Sequence, residues 1–193
     1  MPHDPHKYTK FERERRFLVA PAALPELSAE FAHYDDVYLA ETQIRLRVLT
    51  EQPAGRVLYK LTQKLKQPDP RTRRITTLYL TASEYRVFAA LPGARLTKRR
   101  YRATSGGLEW GVDVFEGALS GLALAEREFE SEAALRAAAA PPFAALEVTD
   151  DGAFTGGALA LAKPGDVLAR ASRLLEGLAG REEVAGDRSR LRR

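Results

Sequence analysis

Charged side chains recur at every second residue of this chain, inside runs that otherwise read as β-strands. In the run Phe11-Glu12-Arg13-Glu14-Arg15-Arg16-Phe17-Leu18-Val19, successive side chains point to opposite faces, so Glu12, Glu14 and Arg16 share one. Glu126 and Glu128 do the same in Ala125-Glu126-Arg127-Glu128-Phe129-Glu130. Like charges stacked two apart repel unless solvent or a cation compensates them, and two such pairs in one chain point to a divalent-metal site.

Cationic residues follow the same spacing. Arg45 and Arg47 alternate with Ile44, Leu46 and Val48; Lys60, Thr62 and Lys64 alternate with Tyr59, Leu61 and Gln63; Lys98, Arg100 and Arg102 share a face of the run 97–102. When many strands carry one apolar and one charged face, the economical solution is a closed barrel with a charged lumen. A lumen of mixed acid and base fits a polyanion held together with metal ions.

The 193 residues suffice for one domain with a real core. The absence of cysteine excludes disulfides, thiolate ligands and a cysteine nucleophile. Met1 to Lys10 lacks the apolar segment of a signal peptide and no stretch reaches membrane-spanning length, so a cytoplasmic protein without a membrane partner is expected. The net charge of +4 draws on Arg188, Arg190, Arg192 and Arg193, a short basic tail of the kind that is usually solvated. Nucleic acid is accordingly last among the expected partners.

The expected order is a leader over 1–10, a tunnel-barrel domain over 11–165, a helix over 166–180 and a basic tail over 181–193. Within the domain, strands are expected over 11–19, around Val37–Leu39, and over 44–50, 56–64, 75–80, 95–104, 108–115 and 122–130. Leu24, Leu27, Ser28 and Phe31 have helical spacing and predict a short helix. Thr81 and Glu84 form a capping-box signature for a helix that ends at Pro92-Gly93, and Ser131 is the expected cap of a helix over 132–140. The stretch 147–152 reads as strand or turn. The fold class is α+β, mainly β: a closed eight-stranded antiparallel barrel with peripheral helices.

The order of these motifs resembles the CYTH superfamily, the triphosphate tunnel metalloenzymes, from about Phe11 to Leu161. Glu12, Glu14 and Arg16 match its opening E-x-E-x-K/R, Arg45 and Arg47 its R-x-R, Lys60 its third-strand lysine, and Lys98, Arg100 and Tyr101 its K-x-R-Y. Val112 to Gly117, running into Leu122 to Phe129, matches the aspartate strand and the closing E-x-E strand. The resemblance implies a barrel tunnel that binds a triphosphate with Mg²⁺ or Mn²⁺, a metal-bound water attacking a terminal phosphorus. Glu12, Glu14, Asp113, Glu126 and Glu128 are implied as metal ligands, and Arg16, Arg45, Arg47, Lys60, Arg73, Lys98 and Arg100 as phosphate ligands. Those residue types suit the chemistry, since hard cations take carboxylate oxygens and arginine grips phosphate in bidentate fashion. No residue is assigned as general base.

Two departures stand out. The family's R-x-E-x-E falls on Arg73, Ile75 and Thr77, and a late lysine is missing from Asp151 to Gly157, with Lys163 a few residues late. Inorganic triphosphate is the expected substrate. An adenylate cyclase, a thiamine or nucleoside triphosphatase, and a catalytically weakened polyphosphate- or nucleotide-binding protein remain open alternatives. Lys64, Lys66 and Arg74 are expected to be solvated, Trp110 to be core, and Arg13, Arg15 and Arg127 to lie on the face opposite the glutamates. Glu130 is expected at the tunnel mouth. His3, His6 and His33 lack metal-ligand spacing. The sequence leaves the oligomeric state open.

Overall fold

The computed structural model describes residues 8–190, with side chains as far as residue 178. The expected leader and the clustered tail arginines thus lie largely outside the described residues. Nine strands form one antiparallel sheet: β1 (Lys10–Leu18), β2 (Phe31–Leu39), β3 (Ile44–Gln52), β4 (Val57–Lys66), β5 (Thr72–Leu80), β6 (Gly93–Ser105), β7 (Leu108–Phe115), β8 (Ala123–Glu128) and β9 (Leu146–Glu147). Their order is β5-β4-β3-β2-β6-β7-β8-β1-β9, and a further β5–β1 pairing closes the first eight into a barrel.

Closure depends on β1 serving several partners. Its first half, Lys10 to Arg13, pairs with β5, and its second half, Glu14 to Leu18, pairs with β8. The two-residue β9 pairs with Phe17 and Leu18. Consecutive strands from β2 to β5 and from β6 to β8 are joined as antiparallel neighbours, which short connections permit. The β6–β7 turn places Gly106 and Gly107 at φ of 57° and 72°, the left-handed pair that a two-residue hairpin loop requires.

Three apolar clusters hold the barrel, two of them on its outside. Val37, Leu39 and Leu46 pack with Leu61 and Leu80 beneath Tyr85 and Phe88 of α1 (Ala82–Ala89). Helix α1 carries the expected capping box, with Thr81 accepting from the Glu84 N–H and Glu84 accepting from the Thr81 N–H. Phe17, Trp110, Ala125 and Phe129 pack against Leu135 of α2 (Glu132–Ala137), with Phe17 edge-on to the Trp110 ring at 5.6 Å. Trp110 is therefore core. Full burial of a large apolar side chain stabilises by ~1.5–3 kcal/mol.

The third cluster plugs one end of the lumen. Leu18, Leu96, Phe115 and Leu124 continue the faces that carry Arg16, Lys98, Asp113 and Glu126, but here the residues are apolar. They meet Phe154, Leu159 of α3 (Gly156–Leu161), and Val167 and Ala171 of α4 (Pro164–Arg190). The expected boundary at residue 181 falls inside α4. Among the described residues no helix is long and apolar enough to cross a membrane.

Two local expectations are overturned. No helix spans Leu24 to Phe31. A 3-10 turn at Pro21–Ala23 precedes extended chain, and Phe31 opens β2 with its ring 5.4 Å from Tyr101. A proline in the first turn does not bar a helix, so the cause is long-range pairing: β2 bonds to β3 from Phe31 and to β6 from Ala32, which overrides the local periodicity. Helix α2 ends at Ala137, short of Ala140, ahead of the Pro141-Pro142 step.

Candidate active site

The lumen is lined by the alternate positions of each strand, and two carboxylates are buried completely behind its cations. Asp36 on β2 accepts from Arg47 Nε at 2.5 Å and Nη2 at 2.6 Å. Asp113 on β7 accepts from Arg100 Nε and Nη2, each at 2.6 Å, and from Lys98 Nζ. Burial by itself would raise the Asp36 carboxyl, but Arg47 and then Arg45 hold it below the usual carboxylate range. The Tyr34 ring lies under the same cations, 3.9 Å from the Arg47 guanidinium and 5.3 Å from that of Arg100.

Three more carboxylates lie at the cavity surface. Glu126 is paired in register with Arg16 and accepts from Arg16 Nε at 2.7 Å and from Arg100 Nη2. Glu14 accepts from Arg16 Nη2, and Glu12 from Lys64 Nζ at 2.5 Å. Burial would raise Glu126, but Lys98, Arg16 and Arg100 together hold it well below its ordinary range. Burial likewise opposes the ionisation of Glu12, and Lys64 overcomes it, leaving that carboxyl lowered. Lys98 is lowered by burial, an effect that Asp113 and Glu126 only partly offset. The guanidinium of Arg100 reaches Glu126 across Gly111, where a Cβ would lie 3.0 Å from Arg100 Cδ and Nε.

Glu12, Glu14, Glu126 and the cations they pair with surround a cavity of about 510 Å³, bounded at one end by the 3-10 turn Gly152–Phe154 and by α3. Eight cationic side chains line it against the three carboxylates Glu12, Glu14 and Glu126. Of the expected phosphate ligands, Arg16, Arg45, Arg47, Arg73, Lys98 and Arg100 line it. Lys60 does not; its Nζ lies 5.1 Å from the Tyr79 ring, nearer the opposite end of β4. Lys64 and Lys66, expected to be solvated, do line it, because they continue the Lys60 face of β4 toward the end where Lys64 meets Glu12 of β1. Arg74 lies outside, 5.3 Å from the Phe11 ring.

A second cavity, of about 1050 Å³, opens toward the other mouth and shares Arg100 and Glu126 with the first. The Arg100–Glu126 pair therefore stands between the two. Glu128 lines this second cavity, half-exposed and 3.6 Å from Lys10. Glu130 is exposed beyond β8 and lines neither cavity. On the outer face, Arg15 pairs with Glu147 at 2.7 Å and Arg127 stacks near Phe129.

Asp113 is not at the cavity surface, because both its oxygens are committed to Lys98 and Arg100 behind the lumen wall. No three acidic or histidine side chains converge as a metal site among the described residues. The donor set still fits a hard divalent cation. Glu14 and Glu128 are cross-strand partners, an arrangement of like charges that a cation relieves, and Glu12 and Glu126 flank them. Mg²⁺ needs only one or two carboxylates when water and substrate oxygens complete its shell.

Sequence reasoning missed three contributors. Asp36 looked like a lead-in to a strand, yet Tyr34, Asp36 and Tyr38 alternate as lumen positions do. The Tyr38 hydroxyl, pushed up to about 12 by burial and by Asp36, lines the cavity beside Arg45. Helix α3 went unseen because Gly156 and Gly157 weaken its local signal. In place of the expected glutamates, β5 carries buried Ile75, and Thr77 meets Thr62 hydroxyl to hydroxyl at 3.1 Å.

No family model matches the chain. A curated relative, an inorganic triphosphatase from Nitrosomonas europaea, is 35% identical over 158 residues, covering 79% of this chain and 99% of its own length. The crystal structure of an inorganic triphosphatase matches at a TM-score of 0.52 and 32% identity, over 78% of this chain and 98% of that one. The crystal structure of a hypothetical protein matches at 0.53 and 31%, over 79% and 99%.

Proposed function

The chain belongs to the CYTH superfamily of triphosphate tunnel metalloenzymes, and from that membership we propose that it hydrolyses inorganic triphosphate inside the barrel. The observation that carries the reading is the cavity itself, where eight cations and three carboxylates face one another inside a closed barrel.

Phosphoryl transfer asks mainly for positioning and charge neutralisation, so a nucleophilic side chain is not needed. Arg45 and Arg47 on β3 and Arg100 on β6 offer guanidinium forks to phosphate oxygens, with Lys64, Lys98 and Arg73 adding charge around them. Asp36 and Asp113 hold Arg47 and Arg100 in place, which keeps the donors preorganised. A divalent cation, Mg²⁺ or Mn²⁺, would be held by Glu12, Glu14 and Glu126, with Glu128 at the seam, and would neutralise charge as the P–O bond breaks. Water attacks the terminal phosphorus, the bridging bond breaks, and phosphate and diphosphate leave.

The choice of an inorganic substrate rests on the walls. Phe115 and Phe154 touch the cavity but are only 3% and 1% exposed, and Trp110 is packed outside the barrel. Tyr38 also lines the cavity, but Gly156 and Gly157 pack close to its ring, so among the described residues no broad ring face is offered to a base or a thiamine ring. Phosphate release from inorganic triphosphate, ATP and thiamine triphosphate, each with EDTA, Mg²⁺ or Mn²⁺, tests the reading. Fastest metal-dependent release from inorganic triphosphate is expected, and preference for an organic triphosphate would contradict the substrate choice.

A second reading, binding without turnover, is favoured by one observation. The β5 wall is neutral at Ile75 and Thr77, where the family resemblance implies glutamates. Under that reading triphosphate raises the melting temperature and no phosphate is released.

A further inference from the structure

The lumen carboxylates fall into two groups that differ in what can displace them. Asp36 and Asp113 are 1% and 0% exposed, sit behind their arginines and are each held by two guanidinium bonds. Glu12, Glu14 and Glu126 reach the cavity surface and face the same space a ligand would fill. Each of the three is already the counter-ion of a lumen cation: Glu12 of Lys64, Glu14 of Arg16, and Glu126 of both Arg16 and Arg100.

Cations exceed these internal anions. Lys66 and Arg73 line the cavity with no carboxylate within ion-pair distance among the described residues, and Arg45 Nε is buried without a hydrogen-bond partner. Arg45 Nε lies 3.9 Å from Asp36 Oδ1, beyond hydrogen-bond range, so the charge of Arg45 is only partly compensated. Lys64 and Arg100 keep 29% and 27% of their side chains exposed, so an entering anion can reach them without prior unfolding of the wall.

We propose that the tunnel takes up triphosphate as a metal-free anion, its oxygens replacing Glu12, Glu14 and Glu126 as counter-ions of Lys64, Arg16 and Arg100. This rests on the tunnel being the triphosphate site. The exchange substitutes one counter-anion for another, so no cation is left uncompensated, and guanidinium–phosphate forks are strong, directional bonds. The released carboxylates then become available to a divalent cation. Anion binding therefore raises metal affinity, and by reciprocity the metal raises anion affinity. The anion comes first because the carboxylates are otherwise engaged.

Isothermal titration calorimetry on the full chain tests this, with inorganic tripolyphosphate in EDTA as one titrant and Mn²⁺ without anion as the other. The expected results are saturable anion binding in EDTA and no binding of Mn²⁺ alone. Glu12→Gln and Glu14→Gln are each expected to tighten the EDTA affinity, by roughly threefold for a partly exposed pair, because they remove an internal competitor. Lys64→Met is expected to weaken it. Anion binding that needs metal, or weakening by both glutamine variants, would overturn the proposal while leaving a metal-dependent hydrolase intact. Absence of anion binding with and without metal would overturn this inference and the triphosphate reading together.

Discussion

Asp113 presents both carboxylate oxygens to Arg100, Oδ1 to Nε and Oδ2 to Nη2, each at 2.6 Å, from a position with no solvent exposure. That geometry makes Asp113 a positioning residue for Arg100, the arginine proposed to bind phosphate. Asp113→Asn leaves buried Lys98 and partly buried Arg100 without their main counter-ion, at a cost of roughly 3 kcal/mol. Urea unfolding measures this loss, and triphosphate affinity should fall with it. An unchanged unfolding midpoint would show that the pair does not organise the wall.

Asp36 and Arg47 form the equivalent unit on β2 and β3, and their mutual dependence is measurable. Arg47→Met strands a buried carboxylate, so a loss of roughly 3–5 kcal/mol is expected. Adding Asp36→Asn should restore part of it, giving a clear coupling energy in a double-mutant cycle. Additive losses would mean that the two residues act separately.

The lowered carboxyls of Glu12, Asp36 and Glu126 make stability depend on pH in a definite direction. Each folded value lies below its unfolded one, so the contribution is complete above the ordinary values of 4.5 for glutamate and 3.8 for aspartate. It is lost as pH falls from there through the folded values. Melting temperatures recorded between neutral and acidic pH should decline below that threshold, and Glu126→Gln should flatten the decline.

Gly156 and Gly157 differ in what they permit. A Cβ on Gly156 would fall 2.0 Å from the Tyr38 hydroxyl, whereas one on Gly157 would make ordinary contact with the ring at 3.5 Å. Gly156→Ala should therefore shift Tyr38 or α3, cost about 1–3 kcal/mol and weaken triphosphate binding at neighbouring Arg45. Gly157→Ala should come close to wild type in both assays. Equal effects would remove Tyr38 from the cavity wall's design.

The strands were legible because charge and apolarity alternate with a period of two, a pattern that helices do not share. The same period placed Glu12, Glu14, Arg16, Arg45, Arg47, Lys98, Arg100 and Glu126 on one lumen. Parity fixes a face but not a depth, so it could not separate Asp113, buried behind its cations, from Glu126 at the surface. Nor does it say how far along the axis a residue lies, which is why Lys60 and Glu128 fall outside the first cavity. The helix expected over 24–31 failed for a different reason: its spacing was local, while Phe31 is claimed by strands distant in sequence. Asp36 was hidden because β2 was expected only around Val37–Leu39, which left Asp35 and Asp36 as a lead-in although both lie inside the strand.

Phosphate release from inorganic triphosphate by the wild-type chain and by Glu126→Gln, in Mg²⁺ and in EDTA, bears most directly on the tunnel as the seat of hydrolysis. Glu126 is the carboxylate that joins Arg16 and Arg100 across the lumen. Metal-dependent turnover that falls by roughly a hundredfold or more in the variant is the expected result. Turnover that survives Glu126→Gln unchanged would place the chemistry elsewhere and contradict the assignment.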